Sequence, residues 1–188
     1  MYILDIETFG TESTSVVLSA AMVYFEEGVS YQELIDSSIF VKFDAKEQIQ
    51  KYGRITDKNT LEWWAKQSTG SKQISLIPSE NDLTASEGIL QLKQYLDKSQ
   101  EKNKIVFTRG NLDPMCMESL CKAVGVPPII PYYNYMDIRT ALNLLKTTTV
   151  RGYCDVSFEG FNIEEAKSNK HNPIVDVCLD AMMIMYGI

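Results

Sequence analysis

The sequence predicts an α/β domain with a mixed sheet, its N-terminal strands antiparallel and its later strands parallel, flanked by helices. Two observations carry this. Residues 2–43 hold three apolar runs rich in β-branched and aromatic residues. Beyond residue 84, helical stripes alternate with short strands, the order expected of parallel pairing.

The first strand is Tyr2-Ile3-Leu4-Asp5-Ile6-Glu7-Thr8. Gly10–Ser15 read as a polar turn, and Val16–Phe25 as a second strand whose short connection favours an antiparallel hairpin. Glu26-Glu27-Gly28 turn the chain toward a third strand, Ile39–Phe43, which completes a meander. Helical spacing follows over Asp44–Tyr52 and Asp57–Gln67, and residues 68–83, rich in Ser, Gly and Pro, read as a loop. Thr84-Ala85-Ser86-Glu87 is a capping box that opens a helix reaching about Ser99. A strand over Lys104–Thr108 leads into a helix from Pro114 to Ala123, with Gly125 as its C-cap. Tyr132–Met136 reads as the last short strand, followed by a helix through Leu145. The final helix runs from Pro173 to Ile188, with Asn172 as N-cap.

A chain of 188 residues without internal repeats predicts one domain over residues 1–188, large enough for a sizeable core. Apolar residues make up 45% and charged residues 23%, and no stretch is apolar enough to span a bilayer. The chain opens on a core strand, which predicts no signal peptide and a cytoplasmic protein, bacterial or in a phage-infected cell. Cys116, Cys121, Cys154 and Cys178 lack zinc-ligand spacing and read as reduced thiols. The net charge of -7 excludes a protein that coats nucleic acid through a broad basic face. It leaves open an enzyme that holds one strand end through cations and a local groove.

Asp5 and Glu7 project from the same face of the first strand, beside Ile3, while Tyr2, Leu4 and Ile6 fill the other. Two such acids either lie at a strand end in water or share a divalent cation, which prefers hard oxygen ligands. The final helix is apolar nearly all round, yet Asp176 and Asp180 interrupt it one turn apart. The chain's single histidine, His171, lies immediately before it. Asp113 follows directly after a strand, where open α/β sheets place ligands, and where it would also suit an N-cap. Residues 146–170 contain Lys146, Arg151, Lys167 and Lys170, which face solvent or contact phosphates.

Asp5-Ile6-Glu7, Asp113, and His171 with Asp176 five residues on resemble the three motifs of the DEDD exonuclease superfamily, in its histidine-bearing DEDDh branch. Thr60–Gln67 and Asp137–Thr140 are similar to the subgroup that contains phage T4 exonuclease A and related mycobacterial exoribonucleases. The resemblance implies an RNase H-like fold and removal of nucleotides from single-stranded 3′ ends, DNA first and RNA second, by a monomer or homodimer. It implies two Mg2+ ions, for which Mn2+ can substitute, held by Asp5, Glu7, Asp113 and Asp176, with His171 as general base. Such ion pairs sit about 3.5–4 Å apart and clamp the attacking and leaving oxygens of a phosphodiester. Thr8 and Phe9 would hold the terminal sugar and base. Trp63 and Trp64 are adjacent and cannot share a helix face, so one enters the core and the other lines the groove. Arg109, Asn111 and Arg139 are placed to reach phosphates, or, for Arg139, to pair with Asp137.

Overall fold

Apolar alternation in the N-terminal third builds the centre of the molecule. The computed structural model describes residues 1–99, 104–144, 153–164 and 171–187. Its five-stranded sheet has the order β3-β2-β1-β4-β5, from β1 (Tyr2–Thr8), β2 (Val17–Tyr24), β3 (Ile39–Lys42), β4 (Val106–Thr108) and β5 (Tyr135–Asp137). β1 pairs antiparallel with β2, placing Asp5 opposite Ala21 and Glu7 opposite Ser19. β2 pairs antiparallel with β3, whereas β1–β4 and β4–β5 are parallel.

The two faces of β1 feed two separate cores. Tyr2, Leu4 and Ile6 pack with α5 (Ala85–Asp97) and α6 (Leu112–Val124), through Ile89, Leu92, Met117 and Leu120. Ile3 packs on the opposite face with α1 (Tyr31–Ser37), α7 (Ile138–Leu144) and α8 (Pro173–Tyr186). Strand alternation therefore sends Asp5 and Glu7 toward the α8 layer. α2 (Ala45–Tyr52) and α3 (Lys58–Ala65) cover the carboxyl end of β1 and the start of β2, and the short α4 (Thr69–Ser71) follows them.

Local chemistry sets the helix ends. Asp44 and Asp57 accept from the backbone N–H groups of Glu47 and Thr60, and Thr84 with Glu87 closes the expected capping box. Gly125 ends α6 in the left-handed region, where a side chain would be strained. Gln48 is buried and bonds both the N–H and C=O of Val17, extending the ladder where β3 has ended.

The structure departs from expectation in several segments. The connection from β2 to β3 contains α1, so the N-terminal strands are not a simple meander. Ser30 and Glu33 form a second capping box there. Residues 68–83 are not all loop: α4 runs into a π-helical turn, Lys72–Leu76. Ser75 in that turn is buried against Ser19, their hydroxyls 2.8 Å apart, and Lys42 reaches the carbonyl of Ile77. Tyr132–Asn134 form a 3-10 turn, so β5 starts three residues later than the sequence suggests. Leu145, Lys146, Arg151, Lys167, Lys170 and Ile188 lie outside the described residues. Among the described residues no helix is long and apolar enough to cross a membrane.

Candidate active site

Asp5 and Glu7 stand near the carboxyl end of the central strand, and α8 lies across the same face. Pro173 at the first position of α8 and Asn172, whose side chain accepts from Ile174 N–H, start the helix so that Asp176 falls in its first turn. Carboxylate oxygens of Asp5, Glu7 and Asp176 come within 4.8 Å of one another. Immediately after Glu7 the β1–β2 register shifts. A bulge of this kind ends regular pairing and re-aims the following side chain beside a site.

Asp113 lies within the first turn of α6 and is only 7% exposed. It is not the N-cap that its position suggested, because Asn111 occupies the cap without bonding through its side chain. Asp113 stands outside the tight group of three, but its charge acts on both Asp5 and Glu7.

Electrostatics make this a strained set of acids. Desolvation in the concave site, then repulsion from Asp113, Glu7, Asp176 and Asp180, holds the Asp5 carboxyl well above the usual carboxylate range. Glu7 is raised by desolvation and by Asp176 and Asp113. Burial, followed by Asp180, pushes Asp113 up to about 8 and Asp176 to about 7. Arg109 opposes both shifts, and Arg139 opposes that of Asp113. Acids packed so closely cannot all ionise without cations, and an all-oxygen donor set suits a hard divalent ion.

His171 sits at the rim in a left-handed conformation, with φ of 62°. Its Nδ1 lies 3.8 Å from Glu7 Oε1. The Trp63 ring packs edgewise on the imidazole, with centroids 4.7 Å apart. Beside them, a cleft of about 520 Å³ runs past Glu7, Thr8, Thr11, Asn59, Trp63 and Leu112.

Several expected contacts need correction. Trp64 is a core residue, 1% exposed, whose Nε1–H donates to the Thr8 carbonyl over 3.0 Å, so it cannot stack on a base. Phe9 leans into the small cluster of Val16, Leu18 and Trp64 instead of lining the cleft. Arg109 is committed to Asp180, with Nε–Oδ2 at 2.9 Å, and its guanidinium lies 4.4 Å from the Tyr153 ring centroid. The Thr8 hydroxyl borders the cleft and donates to the Gly10 carbonyl at 2.6 Å. Asn111 is exposed at the head of α6, and Arg139 is exposed on α7. Asp137 accepts from the N–H groups of Gly110 and Thr140 and from the Thr140 hydroxyl, a capping role, and the Arg139 charge helps to hold its carboxyl below the usual range.

Three features escaped the sequence reading. Asp180 was legible as an odd acid, but its arginine lies 71 residues away. Arg54, 5% exposed, donates to the carbonyls of Ser13 and Ser15 and to the Ser119 hydroxyl, holding the loop after β1. Asn59 and Leu112 line the cleft. Their signals were available, since Asn59 lies one helical turn before Trp63 and Leu112 directly precedes Asp113.

Residues 1–186 match the family described as the 3'-5' exoribonuclease Rv2179c-like domain. The chain is also similar to the exodeoxyribonuclease of Enterobacteria phage T4, at 24% identity over 221 residues that cover all of this chain and 88% of the phage protein. The mixed, helix-flanked sheet agrees with the RNase H-like fold of such exonucleases. On the match across almost its full length, the chain belongs to the 3'-5' exoribonuclease Rv2179c-like domain family and is a 3'-5' exonuclease.

Proposed function

We propose that this exonuclease is metal-dependent and releases nucleoside 5′-monophosphates from single-stranded 3′ ends, with DNA as the first substrate and His171 as the general base. The observation that carries the reading is the convergence of Asp5, Glu7 and Asp176 within 4.8 Å, with His171 beside Glu7. Asp5, Glu7 and Asp176, with Asp113 behind them, would hold two Mg2+ ions, for which Mn2+ can substitute. When bound, these ions supply charge neutralisation at the phosphate and a more acidic water.

The chain's own residues supply the rest. His171 accepts a proton from the attacking water, a role to which an imidazole is suited near neutral pH. The water oxygen bonds to the terminal phosphorus, the P–O3′ bond breaks, and the 3′ oxygen of the shortened strand takes a proton from solvent. Thr8 lines the cleft that receives the terminal nucleotide. Arg139, exposed on α7 and close enough to act on Asp113, offers positive charge to the strand's phosphates. The protein works in the cytoplasm, as a monomer or homodimer in one domain.

RNA is the second reading, supported by the family description, whereas the name of the phage relative supports DNA. The test uses 5′-labelled single strands of both sugars with Mg2+ and then chelator, for wild type, Asp5→Ala and His171→Ala. A ladder shortening from the 3′ end, lost with chelator and in both variants, is expected. The faster substrate identifies the sugar. Tight binding without cleavage of either strand would sink the proposal in favour of a strand-end binding module.

A further inference from the structure

The geometry points to Trp63 as a positioning residue for His171, and this inference rests on His171 being the base. Trp63 is 39% exposed on α3, yet its ring is not a free platform. It stands nearly perpendicular to Trp64, with centroids 5.1 Å apart, and to His171, at 4.7 Å. Trp64 is anchored in turn by its Nε1–H to the Thr8 carbonyl. Two indoles thus connect the imidazole to the strand that carries Glu7.

His171 benefits from such a wall. Its left-handed backbone is an unfavourable conformation for a residue with a side chain, although histidine tolerates it better than most. The 3.8 Å separation from Glu7 exceeds hydrogen-bond reach, so this carboxylate alone does not fix the ring. Perpendicular aromatic packing is directional and restricts the tilt of the imidazole. A base must be oriented within a narrow range to take a proton from water.

The chain has one histidine, so its imidazole NMR signals report on His171 without assignment. In the wild-type chain a through-space contact between the imidazole and the Trp63 indole is expected, and its absence would overturn the proposal without any variant. Trp63→Leu should move and broaden the imidazole signals, while Leu61→Ala, on the same helix, leaves them in place. With substrate, Trp63→Leu should lower kcat by roughly 10- to 100-fold and keep KM within about twofold, and Trp63→Phe should restore most of the lost kcat. Unmoved imidazole signals, or a raised KM with kcat retained, would identify Trp63 as a base-stacking surface and overturn the assignment. Full activity in His171→Ala would instead remove the base reading itself, whatever the NMR contact shows.

Discussion

Arg109 at the end of β4 and Asp180 in the middle of α8 are joined side to side, through Nε and a second guanidinium nitrogen. Both side chains are largely buried, 13% and 7% exposed. The pair fastens the segment leading to Asp113 onto the helix that carries Asp176. Breaking one side of a buried ion pair is destabilising, so Asp180→Asn should cost about 3–5 kcal/mol. The double variant Arg109→Met with Asp180→Leu should recover most of that loss. Urea melts of the three proteins test this, and equal losses in single and double variants would refute it.

Metal-free stability should fall as pH rises. Asp113 and Asp176 titrate at about 8 and about 7 in the folded chain, against an ordinary value of about 3.9. The folded state therefore binds more protons than the unfolded state across that window. The stability these groups allow is fullest below the unfolded value and is lost as pH climbs through 7 and 8. In chelator, the protein should melt at a higher temperature at about pH 5.5 than at about pH 8.5. Mg2+ should raise the melting point more at the alkaline pH, because binding needs ionised carboxylates. A pH-independent melt in chelator would contradict the electrostatics.

Asp5→Asn separates function from stability. It removes one of several repelling acids, so the chelated protein should be at least as stable as wild type at alkaline pH. Activity should nevertheless fall by about 10²-fold or more, as expected when a main electrostatic contributor is lost. Calorimetry beside a strand-degradation assay reads both, and a folded variant with wild-type rates would exclude Asp5 from the chemistry.

Adjacent tryptophans should behave as opposites. Trp64→Ala empties a core position and should cost about 3–5 kcal/mol, whereas the half-exposed Trp63 should tolerate truncation with much less loss. Thermal melts of the two alanine variants decide the matter.

Gly88 in α5 makes a separate packing test. A Cβ there would meet Phe43 at 2.3 Å and Val41 at 2.8 Å. Helix propensity favours alanine by about 1 kcal/mol, but overpacking costs about 1–3 kcal/mol. Gly88→Ala should therefore be net destabilising, and a raised melting temperature would show that the Phe43 ring moves freely aside.

The parts of this molecule legible in its sequence are those governed by neighbours in the chain. Alternation in β1 assigned Ile3, Asp5 and Glu7 to one face, and the Thr84–Glu87 box marked the start of α5. α1 offered the same kind of box at Ser30, but seven residues with only Tyr31 and Leu34 buried leave no readable stripe. The π-helical turn rests on Ser19 and Lys42, far away in sequence, so local composition read as loop. Adjacency required Trp63 and Trp64 to point apart; only packing on Thr8 decided which of them turned inward. Arg109 read as a phosphate contact because Asp180, its actual partner, enters from another helix.

The acids brought together at the candidate site lie at positions 5, 7, 113 and 176, and synthesis proceeds in that order. A nascent chain thus carries its first strand long before Asp176 exists, and until α8 docks the group of three is short of a member. Any fragment that ends before α8 therefore holds two of these three carboxylates, and the group is complete only once the last helix has been made and has docked.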